Sequence, residues 1–206
     1  MPVRSFCAAV LLATVCGAPG AEAAAKTYCK LLVDARGDTA LTDTPGVDVL
    51  SADVVSDSRR VTAVVRLAGS PSTYGPTSPA GHLYTVRFSG QGGARPVFVW
   101  YATTPTGGVA KYGLYHDESK NNEILGIASA TVVGNAVHLT VPLGPLAPYG
   151  KFTRGARITG LTAFAARWIG AYATPDAYAH DSREADRATG GKPYVAGARS
   201  CAKVGG

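Results

Sequence analysis

Residues 134–143 read Gly134-Asn135-Ala136-Val137-His138-Leu139-Thr140-Val141-Pro142-Leu143. Val137, Leu139, Val141 and Leu143 alternate with His138 and Thr140. Side chains along a strand point to opposite faces in turn, so this period of two predicts a strand with one face in a core. The Gly134-Asn135 pair predicts a tight hairpin turn, because such turns need positive φ, which Gly and Asn tolerate. A hairpin requires a partner strand upstream, and the apolar run Ile124 to Val133 supplies it. Val61, Ala63, Val65 and Leu67 repeat the alternation within Arg60 to Leu67.

Working outward, runs rich in β-branched and aromatic residues recur at Val47 to Val55, Leu83 to Phe88, Pro96 to Ala102, Ala110 to His116 and Ile158 to Ala166. Gly, Pro, Asn and Asp punctuate them, as they do between strands. Short connections favour antiparallel pairing, and about eight such strands bury their apolar sides by packing two sheets face to face. The expectation is an all-β, antiparallel two-sheet sandwich, jelly-roll-like, followed by an irregular C-terminal tail over residues 172–200. Ala163 to Ala171 is the best helix candidate, and a strand competes for it.

The composition agrees. The chain has 206 residues, 46% hydrophobic and 17% charged, which suits one domain and is too apolar for intrinsic disorder. A single Met and few Leu and Glu argue against a helix bundle. The net charge of +6 comes from arginines dispersed along the chain. They lack the clustering and aromatic interleaving of a nucleic-acid groove, so a nucleic-acid partner is not expected.

The first 25 residues read as an export signal: Arg4 gives the positive start, Phe6 to Val15 the apolar stretch, and Ala23 and Ala25 a small-residue cleavage site before Lys26. That stretch is shorter than the roughly 20 apolar residues a spanning helix needs, and no later run reaches that length. The mature chain, residues 26–206, is expected to be secreted to the cell exterior without a transmembrane segment. Cleavage removes Cys7 and Cys16 and leaves Cys29 and Cys201. In an oxidising compartment these two most simply pair with each other, which would fasten both ends together; free or intermolecular thiols are the alternative.

The acids are unevenly placed. Asp34, Asp38, Asp43, Asp48, Asp53 and Asp57 face only Arg36 between positions 34 and 57. Asp176, Asp181, Glu184 and Asp186 gather near the other end. A Cys29–Cys201 bridge would bring both groups to one pole. Ca²⁺ takes six to eight oxygens from carboxylates, carbonyls and water. Asp34 and Asp38, around the Gly37 turn, would supply two carboxylates, and Asp48 or Asp176 would complete the set. Ordinary turn chemistry, in which Asp caps its own backbone, accounts for the same residues without an ion.

The stretch DARGDTALTDTPGVDVLSADVVSDSRRVTAVVRL, residues 34–67, together with GNAVHLTVPLGPL, residues 134–146, resembles secreted β-sandwich modules of the DOMON-like and family 9 carbohydrate-binding-module type. An Asp-rich loop with Gly-Asp precedes a D-[ILV]-x-x-[AV] strand and then a V-x-x-V-[IV]-x-[VL] strand. The resemblance implies a jelly roll, a Ca²⁺ role for Asp34, Asp38 and Asp48, and binding of a sugar or cofactor. Sugar binding calls for aromatic faces flanked by polar groups. Trp100, Tyr112, Trp168 and Tyr172 are the candidates, although such rings also serve as core.

Enzyme signatures such as G-x-S-x-G and H-E-x-x-H are missing. A hydrolase would have to be built from a polar cluster such as His116, Asp117, Glu118 and Glu123. The sequence therefore favours a secreted, non-catalytic module for a carbohydrate or cell-envelope ligand. A hydrolase and a structural or protein-interaction domain are the alternatives.

Overall fold

A computed structural model describes residues 26–40, 45–71, 81–102, 111–115, 128–168 and 182–202, with the backbone alone at 111–115, 168 and 182–183. In chain order the strands are β1 (Leu32–Val33), β2 (Val49–Ser56), β3 (Arg60–Leu67), β4 (His82–Ser89), β5 (Val97–Ala102), β6 (Lys111–Tyr115), β7 (Ser129–Val133), β8 (Ala136–Pro142), β9 (Arg157–Trp168), β10 (Ser182–Ala188) and β11 (Tyr194–Val195). One short helix, α1 (Leu143–Leu146), follows β8. One sheet runs β1-β2-β3-β8-β7 and the other β10-β9-β4-β5-β6, with β11 added on β9. The named strands pair antiparallel throughout. The chain crosses between sheets after β3, β6 and β8, which gives the expected jelly-roll-like sandwich.

The alternation in β3 and β8 has the predicted consequence. Val61, Ala63 and Val65 stand opposite Val141, Leu139 and Val137, and all six are buried. Thr62 and Thr140 share the other face, where their hydroxyls bond at 2.9 Å. The hairpin turn falls at Gly134-Asn135, with Gly134 at φ +59° and Val133 paired to Ala136. Pro142 ends the β8 ladder, since it has no amide hydrogen to donate. The Leu143 amide turns instead to the Arg59 carbonyl at 2.8 Å, so Leu143 opens α1 instead of continuing the alternation. Between β2 and β3, Asp57 Oδ1 accepts the amides of Arg59 and Arg60 at 2.7 and 2.9 Å. The Arg59 amide above all holds this carboxyl below its usual value.

In the second sheet Tyr84, Val86 and Phe88 face the core from β4. Tyr84 stacks on Tyr101, ring centroids 6.2 Å apart, and donates its hydroxyl to the Gly46 carbonyl at 2.8 Å. Burial raises the Tyr84 hydroxyl pKa above its usual value.

Two segments depart from the sequence reading. Ile158 to Ala166 lengthens into β9, which runs on to Trp168, so the strand wins over the helix as far as that residue; 169–171 lie outside the described residues. The segment expected to be an irregular tail carries β10 and β11, both paired with β9. Only Ala185 and Ala188 give β10 buried apolar contacts, which is too little to read as a strand in sequence. Its ladder breaks register between Glu184 and Asp186, and that irregularity aims Asp186 at the site described next.

Candidate metal centre at the sandwich edge

The two ends of the described chain meet. Cys29 and Cys201 form a disulfide with Cα atoms 5.1 Å apart, within the ordinary range for a bridge. Tyr28 donates its amide to the Arg199 carbonyl at 2.9 Å and accepts from the Cys201 amide at 3.0 Å. Three residues on, the Leu31 amide donates to Asp53 Oδ1 at 2.8 Å. The arm therefore enters β1 already fixed, and β1 pairs with β2.

β1 closes one edge of its sheet and β10 one edge of the other. The two edges lie on the same flank of the sandwich. The amide of Ala40 and the hydroxyl of Thr39 both donate to the Ala185 carbonyl, at 2.8 and 3.0 Å. Asp186 Oδ2, from β10, accepts the Val49 amide of β2 at 2.6 Å. Across this seam Asp34, Asp38 and Asp186 converge, each offering a carboxylate oxygen within 4.8 Å of the others. Three carboxylates so placed could hold a metal ion.

The loop joining them depends on Gly37, whose φ of +80° is costly for other residues. Asp48 holds that turn: its Oδ2 accepts the Gly37 amide at 2.8 Å. Its Oδ1 is buried without a hydrogen-bond partner among the described residues, and the residue is 4% exposed. Asp34 is in a similar state. Its Oδ1 accepts the Ala35 amide at 3.1 Å, while Oδ2 is buried and unbonded among the described residues. A buried polar atom left unbonded costs about 1–3 kcal/mol, more if charged, so two such oxygens beside one cluster call for a partner.

The electrostatics point the same way. Burial raises the Asp34 pKa, and the charges of Asp38 and Asp48 raise it further against the Ala35 amide. Burial likewise raises Asp186, with Asp34 and Asp38 adding to it against the amides of Val49 and Arg187. Folding thus drives these acids toward the neutral form. A folded pKa above the unfolded value of 3.8 means that the native state binds more protons above that pH. These groups therefore stabilise least once ionised, and without a cation their contribution falls as pH rises above 3.8. In chelator, the melting temperature difference between Asp34→Asn and wild type should grow in favour of the variant from pH 4 to 7. A difference that is flat over that range would show that Asp34 carries no such strain.

The residues singled out from the sequence divide as follows. Asp34 and Asp38 lie together in the cluster, and Asp48 lies against it as the support of the turn. Asp186 completes the triad; the sequence showed its acidic segment but not which acid points inward. Asp176 lies outside the described residues, as do Tyr172, His116, Asp117, Glu118 and Glu123.

Trp100, one of the stacking candidates, is 4% exposed and packs with Leu83, Ala102 and Ala166 in a small second cluster. Its strand lies between β4 and β6. Tyr112 stands opposite Tyr101 in the β5–β6 register, and Trp168 ends β9 opposite Ser182; only their backbones are described.

Among the described residues no helix is long and apolar enough to cross a membrane. Neither protein-family models, nor curated proteins, nor solved structures give a match to this chain.

Proposed function

We propose that this chain is a secreted, non-catalytic binding module for a carbohydrate or other cell-envelope ligand, built around a structural Ca²⁺ held by Asp34, Asp38 and Asp186. The observation that carries the metal is the convergence of these carboxylates beside the two unbonded buried oxygens of Asp34 and Asp48. The disulfide supports the exported setting, since such bonds persist in oxidising compartments.

Ca²⁺ takes six to eight oxygens in a flexible geometry, whereas Mg²⁺ demands a near-ideal octahedron and keeps several of its waters. A cluster of three carboxylates whose oxygens lie within 4.8 Å of one another therefore favours Ca²⁺. Loop carbonyls and water would fill the remaining positions. The ion would join the edge of one sheet at Asp34 to the edge of the other at Asp186, cancelling the repulsion there. Its role would be to fix the pole from which a ligand surface is presented.

The test is the melting temperature with excess Ca²⁺ and with chelator. At a concentration of about 100 Kd a native-state ligand contributes about 2.7 kcal/mol, which for a domain of this size is roughly 5–10 °C. Asp186→Asn should abolish the increment, and Mg²⁺ should reproduce it poorly. An unchanged melting temperature at saturating Ca²⁺ would remove the metal from the reading. Retention on insoluble envelope polysaccharide tests the binding role separately.

A further inference from the structure

Beside the disulfide lies a cleft of about 720 Å³ that is separate from the acid cluster. Its walls come from residues 26–29 and Leu31, from Arg157 at the start of β9, and from Lys192, Pro193 and Val195. These walls are tied to one another. The Lys192 amide donates to the Leu31 carbonyl at 2.7 Å. β11 pairs Tyr194 with Ile158 and Val195 with Arg157, and Cys29 is bonded to Cys201. The cleft is thus held open by ladder bonds and a covalent link before any ligand arrives.

Its chemistry is one-sided. Lys26, Arg157 and Lys192 bring three positive charges, and no Asp or Glu lines it among the described residues. None of the three cations forms an ion pair among the described residues. The Lys26 ammonium sits 5.0 Å from the centre of the Tyr28 ring. That ring is itself held edge-on by Tyr194, centroids 5.3 Å apart. Gln91 Oε1 accepts the Arg157 amide at 3.0 Å, which anchors the base of the arginine. A guanidinium can grip two oxygens of one carboxylate or phosphate, and an ammonium nearby adds a point charge. The volume lies within the range of about 300–1,000 Å³ typical of small-molecule sites.

We propose that this cleft binds a sugar unit bearing one anionic group, a phosphate or a carboxylate, with Arg157, Lys192 and Lys26 as its ligands. This deepens the envelope-binding reading above and rests on it for the source of the ligand. Cleavage after Ala25, as the sequence leads one to expect, would add an α-ammonium on Lys26, charged for the most part at pH 7. The cations are exposed, so binding weakens as salt is added.

The experiment is calorimetric titration of the mature protein with glucose 6-phosphate, with glucuronate and with glucose. At least one charged sugar should bind and glucose should not; which one binds tells phosphate from carboxylate. Arg157→Gln and Lys192→Gln should each weaken binding about tenfold, with melting temperatures unchanged. Equal binding of glucose, no binding of either charged sugar at 10 mM, or wild-type affinity in the folded double variant would overturn the proposal. The outcomes also separate the two readings. Polysaccharide retention that survives in the double variant keeps the binding-module reading and sinks the cleft. Charged-sugar binding that the variants lose, without retention of the wild type, keeps the cleft and sinks the polysaccharide source.

Discussion

Reducing the Cys29–Cys201 bridge, or replacing both residues by Ser, is expected to lower stability by about 5 kcal/mol, the largest effect of any change of covalent structure in this chain. The two cysteines are 172 positions apart, so the closed loop spans most of the 206-residue chain. In the chain-entropy account a longer loop takes more freedom from the unfolded chain, though only logarithmically. For a domain of about 180 residues the loss corresponds to roughly 10–20 °C in melting temperature. Scanning calorimetry with and without a phosphine reductant measures it, with the double Ser variant as control for side reactions. The bridge also holds the arm that leads to Asp34, so the Ca²⁺ increment should shrink in the reduced protein. A drop of only 2–3 °C would mean that the bonds between Tyr28, Arg199 and Cys201 already hold the ends without the sulfurs.

How much of this was legible beforehand depended on how strongly each residue's chemistry is patterned. β3 and β8 were plain because Val61, Ala63, Val65 and Val137, Leu139, Val141 recur at every second position, although Val64 adds a buried apolar residue on the other face of β3. The bridge was legible because the expected export signal would carry Cys7 and Cys16 away and leave two cysteines with few choices. β10 was not. Ser182, Arg183, Glu184, Asp186 and Arg187 give a polar string whose strand conformation comes from pairing with β9, a tertiary effect with no local trace.

The same limit governed the acids. Their crowding at the two ends was visible, and Asp34 and Asp38 followed from the Gly37 turn between them. Finding Asp186 required the register break in β10, which sequence periodicity does not encode. Alternation set Trp100 apart from Tyr101 but said nothing of how far its ring is buried, and it is 4% exposed.

Arg66→Ala is expected to cost about 3 kcal/mol, the low end of the range for removing one partner of a buried ion pair. Arg66 Nη1 donates to Asp53 Oδ2 at 2.6 Å, and Asp53 is 1% exposed while the Arg66 side chain is 33% exposed. The partial exposure of the arginine lets water relieve some of the penalty, which is why the low end applies. Without Arg66 the Asp53 carboxylate keeps, among the described residues, only the Leu31 amide for its charge. The double variant Asp53→Leu/Arg66→Leu removes both charges together and should recover most of the loss. It would leave a deficit of about 1 kcal/mol, because the Leu31 amide then lacks its acceptor. Urea midpoints at constant m-value resolve these differences.

His138 reports the same pair independently. Burial lowers its pKa first, and the Arg66 charge lowers it further. A histidine with a folded pKa below its unfolded 6.5 takes up protons more readily when unfolded, so its contribution to stability is present above pH 6.5 and is lost as the pH falls. Arg66→Ala should move the His138 titration upward by NMR and flatten the acid side of the stability curve. A cost below 1 kcal/mol with an unmoved His138 would show that Arg66 is a solvated surface charge, and that the arm carrying Asp34 and the basic cleft is held by the disulfide and its neighbouring ladder bonds.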